Sequence, residues 1–227
     1  MVRALLLAAN CLLLTFLCPL PSNAQSQQVV DRMVATVDSG VRVDLITYSD
    51  LLWQLAMQPD SPLENPSSTE LNRVLNLLIN QHLIIQEAEK LPTIAPNDEE
   101  VRAAIENLVK RFPSAADFER RLRSVGFTSK DDEQFRRIIE QRVEIEKYLD
   151  FRFRSFVVIT PQEVADYYRD VYVPRFRKNA PGRILPTLEE VRAELEHTLT
   201  EDKIATDTDA FIESARERAE ITILSPV

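Results

Sequence analysis

Five times along this chain a helix-capping side chain is followed three residues later by an acid: Thr47 with Asp50, Asn97 with Glu100, Thr128 with Asp131, Thr160 with Glu163 and Thr187 with Glu190. In such a box the cap side chain accepts from the backbone N–H of the third helical residue. The acid accepts from the N–H of the cap, so two orphan donors are satisfied together. Five boxes commit the chain to a series of separate helices. Composition agrees: the 227 residues include only 3 glycines, and abundant Leu, Ile, Glu and Arg favour helix over sheet.

The apolar spacing between boxes gives each helix a buried face. Tyr48 to about Gln58 presents Leu52, Leu55 and Ala56. Ser68 to Leu91 carries the broadest stripe, from Leu71, Val74 and Leu75 to Leu83 and Ile85; His82 falls on it and reads as a hydrogen-bonded structural residue. After Asn97, Val101, Ile105, Leu108, Val109 and Phe112 share one face until Pro113. Ser114 caps a short helix bearing Phe118, Leu122 and Val125, with Gly126 as its left-handed C-terminal residue. The Thr128 box opens a helix to about Phe156, with Phe135, Ile138, Ile139, Val143, Leu149 and Phe153 inward and a run of paired charges outward. A helix from Thr160 to Tyr172 follows. The last helix runs from Leu188 to Ala219, unbroken by the weak formers Thr206–Asp209.

The two ends are extended. Val29–Val37 and Val41–Ile46 flank the turn Asp38-Ser39-Gly40, and Val41, Val43 and Leu45 alternate with Arg42 and Asp44. This pattern reads as a β-hairpin. A hairpin alone is marginal, so Ile221–Leu224 is expected to add a third strand and close the chain on itself. The fold class is therefore mostly α, with a small antiparallel sheet built from the N-terminal hairpin and the C-terminal strand.

Residues 1–24 read as a secretory signal peptide: Arg3, an apolar run from Ala4 to Leu17, then Ser22-Asn23-Ala24, with cleavage between Ala24 and Gln25. The run is shorter than the ~20 residues of a membrane span, so no stable membrane insertion is expected after cleavage. Leu17 before Cys18 argues against lipidation. Cys11 and Cys18 leave with the signal, so the mature chain has no thiol for a disulfide, nucleophile or metal site. Export points to the periplasm.

The remaining 25–227 divide into an N-terminal part (28–172), a join (173–186) and a closing helix and strand (187–227). The join, Val173–Pro186, holds Pro174, Pro181, Gly182 and Pro186 with Arg175, Arg177, Lys178 and Arg183. It reads as an exposed, irregular crossing.

Several chemistries find no footing. The chain has no glycine-rich phosphate loop, no HExxH and no nucleophile-elbow serine. The net charge of −9 is wrong for nucleic acid. Acid clusters such as Asp98-Glu99-Glu100 sit at helix starts, where the dipole already explains them. No cofactor, metal or catalytic residue is expected. What remains is apolar and aromatic helix surface. Trp53, Met57, Phe112, Phe127, Tyr148, Phe151, Tyr167 and Phe176 are candidates for client binding, with core packing as the alternative for each.

In order, VVDRMVATV, ITYSDL, LINQHLIIQEAEKL, IAPNDEEV, FERRLRSVGFTSKDDEQFRRII, TPQEVADYYRD and AFIESARERAEITIL resemble the SurA-like periplasmic chaperones, and more loosely PrsA-type foldases and the client-binding part of trigger factor. The resemblance implies an ATP-independent chaperone that binds unfolded or nascent secreted and outer-membrane proteins. That family carries parvulin-type prolyl isomerase domains where this chain has Val173–Pro186. Fourteen residues cannot form such a domain, so isomerase activity is not carried over. Two other functions stay open: a dedicated interaction protein of one envelope complex, and a peptidyl-prolyl isomerase.

Overall fold

The computed structural model describes residues 31–40, 42–91 and 94–227. The expected signal peptide, with its expected cleavage between Ala24 and Gln25, and the expected strand start at Val29 and Val30 lie outside the described residues, as does Val41.

Three strands form one antiparallel sheet in the order β2-β1-β3: β1 Met33–Asp38, β2 Val43–Thr47 and β3 Glu220–Ile223. The register sets Thr36 opposite Leu45 on one side and Thr222 on the other, so the two ends of the described chain meet as expected. Gly40, at φ +82°, makes the turn, and its N–H donates to Asp38 Oδ1 at 2.7 Å.

One expectation fails in β2. Val43 is 61% exposed and Leu45 is exposed too, while Ile46 is fully buried. The inward pair is Asp44 and Ile46, aligned with Val37 and Ala35 of the central strand. Asp44 tolerates this because it is fully partnered. Arg42 Nε donates to it at 2.6 Å, Gln86 Nε2 at 2.7 Å, and His82 Nδ1 lies at 3.2 Å. Burial pushes the Asp44 carboxyl up, but the bonds from Arg42 and Gln86 prevail and hold it below its usual range. His82 is thus a structural hydrogen-bonding residue.

The helices are α1 Tyr48–Ala56, α2 Ser68–Ala88, α3 Asp98–Val109, α4 Ala115–Ser124, α5 Glu133–Arg152, α6 Pro161–Tyr167, α7 Val173–Asn179 and α8 Leu188–Arg218. A π turn, Tyr168–Tyr172, joins α6 to α7, so they form one rod and the described residues hold seven helical rods. Four of the expected boxes form with both bonds, at Thr47, Asn97, Thr160 and Thr187, and Ser67 with Glu70 adds another. The box at Thr128 does not form. Asp132 caps α5 instead, accepting from the N–H groups of Gln134 and Phe135, while Thr128 donates its N–H and hydroxyl to the same carboxylate. The helix also stops at Arg152, before one short 3₁₀ turn, Arg154–Phe156. Gly126 ends α4 at φ +103°, as its position required.

The join is the larger correction. Val173–Asn179 is helix and not irregular crossing. Pro174 lacks an N–H and its ring would crowd the carbonyl four residues back. The π turn removes the conflict by widening the backbone just before it: the Val173 N–H reaches back five residues to Tyr168 O. The irregular connection is only 180–187, fastened by the Tyr168 hydroxyl donating to Pro186 O at 2.7 Å.

These elements build a body and an arm. The body has three buried clusters. One lies between the sheet, α1 and α2, around Val34, Val37, Leu51, Leu55 and Val74. The second centres on Phe118, Leu122 and Phe135 among α3, α4 and α5. The third holds Ile84, Ile85 and Tyr148, with Phe211 of α8 against it. Arg121 locks α4 to the end of α1 by donating to the carbonyls of Leu55, Ala56, Gln58 and Ser61. The arm is the α6–α7 rod against the first part of α8, with a small core of Val164, Val191 and Leu195. Helix α8 serves both: Leu195 is buried in the arm and Ala215 in the body, about 30 Å apart at ~1.5 Å per residue. No residue between them is buried. Polar links hold that stretch, Lys203 to Glu163 at 2.6 Å and Arg154 to Glu201 at 2.6 Å. No helix of the described residues is long and apolar enough to cross a membrane.

Candidate functional site

Three helices turn equivalent faces toward one cleft in the body. Asp50, Trp53, Gln54 and Met57 come from α1, Leu78, Gln81, His82 and Ile85 from α2, and Ile138, Gln141, Arg142 and Ile145 from α5. Each set has the spacing i, i+3, i+4, i+7, which puts four side chains on one side of a helix. Leu45 of β2 closes one edge, and the cleft encloses about 110 Å³. Its apolar wall alternates with three glutamine amides and one guanidinium. The Trp53 indole is fixed rather than loose: Nε1 donates to Val125 O at 3.0 Å and the ring lies 5.2 Å from that of Phe127.

A second, wider groove of about 340 Å³ runs along the arm between the α6–α7 rod and α8, lined by Tyr167, Val171, Tyr172, Arg175, Phe176 and Leu195 among others. Tyr168, Tyr172 and Phe176 stack in a row beside it, with ring centroids 5.7 and 5.9 Å apart. A third groove, about 460 Å³ between α3 and α5, is rimmed by Glu100, Arg111, Arg142 and Glu146.

The eight candidate residues divide by depth. Met57, Phe112, Phe127 and Tyr148 are buried. Phe112 and Phe127 pack in the ring cluster with Phe118 and Phe135, and Tyr148 packs on Phe211. A client cannot reach Phe112, Phe127 or Tyr148 in this conformation, so they are core residues; Met57 is core whose thioether forms part of the cleft floor. Trp53 lines the body cleft, and Tyr167 and Phe176 line the arm groove. Phe151 is 51% exposed and belongs to neither. The structure therefore gathers no single surface from the eight.

Sequence reasoning missed Gln54, Gln81, Gln141 and Arg142. The heptad-like spacing of Trp53 and Met57, and of Ile138 and Ile145, was the available signal, because the polar residues between them lie on the same faces. Among the described residues no group of His, Cys, Asp and Glu is arranged to hold a metal.

No family model matches the chain, and no curated protein is significantly similar to it in sequence.

Proposed function

We propose that this chain is an extracytoplasmic, ATP-independent chaperone with the architecture of a SurA-like or trigger-factor-like chaperone module, holding unfolded secreted or outer-membrane proteins in the cell envelope. The observation that carries this reading is the arm: a helical hairpin that leaves a row of aromatic rings half-exposed along an open groove. Apolar contact of this kind is non-directional, so it binds without strong sequence selectivity and needs no nucleotide. The body cleft offers a second, smaller foothold with amide groups suited to main-chain hydrogen bonds.

The reading excludes prolyl isomerase activity. The connection at the place where a parvulin domain would enter is short, and 173–179 is spent on extending the arm. A proline-limited peptide assay checks this directly, since acceleration above background would overturn it. The chaperone reading itself is tested by light scattering of an unfolded outer-membrane protein diluted from denaturant. Suppression of aggregation at stoichiometric ratios is expected. No suppression at excess, or capture of one folded envelope protein in fixed ratio, would replace it with a dedicated interaction protein.

A further inference from the structure

The body cleft contains polar groups that the fold itself does not use. Gln54 is 3% exposed. Among the described residues its side-chain amide has no hydrogen-bond partner; only its backbone carbonyl is engaged, by Gln58 Nε2 at 3.4 Å. Arg142 presses inward on the facing wall, where its Nη1 meets the Met57 thioether at 3.0 Å. No described carboxylate lies within ion-pair distance of it; the nearest charges acting on it are Glu146 on its own helix and Arg111. Burial pushes the Arg142 pKa down, with Glu146 acting against it from the next turn. Asp50, the acid at the opposite edge, is already committed, accepting from the Thr47 N–H at 2.7 Å and the Thr47 hydroxyl at 2.8 Å. A half-desolvated guanidinium beside a thioether is a poor arrangement unless an anion completes it.

Apart from Gln81, His82 and Gln141 the remaining wall is apolar, and the space is about 110 Å³, somewhat below the ~150 Å³ of an apolar cavity that admits benzene. It takes one branched aliphatic side chain. The site thus asks for an apolar side chain, a peptide group and a carboxylate within a few ångströms of one another. In a polypeptide the C-terminal residue is where an apolar side chain and a carboxylate share one carbon. An internal Asp or Glu brings its carboxylate without the apolar group.

We propose that the cleft binds the C-terminal residue of a polypeptide, with its side chain among Trp53, Leu78, Ile138 and Ile145, its carboxylate on Arg142 and its last peptide group on Gln54. The proposal rests on the chaperone reading only in taking the ligand to be a polypeptide.

Trp53 is the sole tryptophan of the chain and lines this cleft, so under native conditions its emission is a single probe placed at the site. The full mature chain is titrated with acetyl-Gly-Ala-Leu as the free acid, with the same peptide as the C-terminal amide, and with 4-methylpentanoate. The free acid is expected to shift Trp53 emission with at least tenfold higher affinity than the amide or the small acid. Arg142→Gln abolishes that preference, whereas Arg142→Lys keeps part of it. Equal affinity for acid and amide in the wild-type protein, or no spectral change with either, overturns the proposal without any variant. Equal affinity for 4-methylpentanoate overturns the polypeptide as the ligand. The titration does not depend on aggregation: peptide binding without suppression would sink the chaperone reading and leave this site standing.

Discussion

In the body, Phe118, Phe135 and Tyr148 are sealed from solvent, and a chain of ring contacts runs from Trp53 through Phe127, Phe135 and Phe118 to Phe112 at centroid distances between 4.9 and 5.8 Å. In the arm, Val164, Val191 and Leu195 are the buried residues, and the rings of Tyr168, Tyr172 and Phe176 stack half-exposed along the groove. The helical periodicity is the same in both. The difference is the number of neighbours. A body helix is covered by two or three partners and most of its aromatics enter a core, with Phe151 near the end of α5 left outside; a hairpin helix has one partner, and its rings stay part-exposed along the groove. Aromatic content therefore marks a binding surface only where the packing runs out of layers.

Five measurements would break or sharpen that contrast. The largest effect is expected from Phe118→Ala, which empties the centre of the ring cluster and should cost about 3–5 kcal/mol of global stability. Leu195→Ala should instead loosen the arm, raising amide exchange in α6 and α7 while the main thermal transition moves little. If both variants shift one cooperative transition equally, arm and body are a single folding unit. Next is Arg121→Met. It strips four carbonyls of a charged donor and should cost about 2–3 kcal/mol, read as a lower urea midpoint with Trp53 emission as probe. Thr187→Ala removes a cap in the arm and should cost about 1 kcal/mol. It should appear as faster exchange at the start of α8 and as little change in the body.

The smallest effect is set by pH. The Lys203 ammonium, followed by the Thr160 N–H and hydroxyl, holds the Glu163 carboxyl down to about 2, from an ordinary value of 4.5. The folded value is the lower one, so the contribution is complete above 4.5 and is lost as pH falls toward 2. Glu163 joins the arm to mid-α8, so tyrosine signals from Tyr167, Tyr168 and Tyr172 should change across that window before Trp53 does. A simultaneous change of both would show that this link does not act on the arm alone.

Helix starts were the most legible part of the chain, because a capping box is local: Thr47, Asn97, Thr160 and Thr187 and their acids suffice to make it. The C-terminal strand was legible through its β-branched residues and the hairpin's need for a third strand. What resisted was everything set by partners. The β2 register turned on Asp44 finding Arg42, His82 and Gln86, none of which a period-two pattern can see. Asp132 displaced Thr128 as the cap of α5, and Thr128 donates its N–H and hydroxyl to the Asp132 carboxylate instead of pairing with Asp131. Pro174 looked like a helix end, since the π turn that accommodates it has no sequence signature. In the candidate cleft, Trp53 and Met57 stood out as bulky residues. Gln54 and Arg142 did not, because a glutamine or arginine on a helix face is ordinarily solvated and only depth makes it unusual.

The π turn has one further consequence, which is a matter of angular phase. In an α-helix of about 3.6 residues per turn, a stride of four overshoots a full rotation by about 40°. In the wider π turn the same stride falls short of one. Tyr168 to Tyr172 spans the wide turn and Tyr172 to Phe176 the ordinary one, so the two errors oppose each other and the three rings stay in line instead of winding around the rod. A plain α-helix through the same residues would instead carry Phe176 about 80° around the rod from Tyr168, off the row, so the wide turn is what keeps the third ring beside the other two.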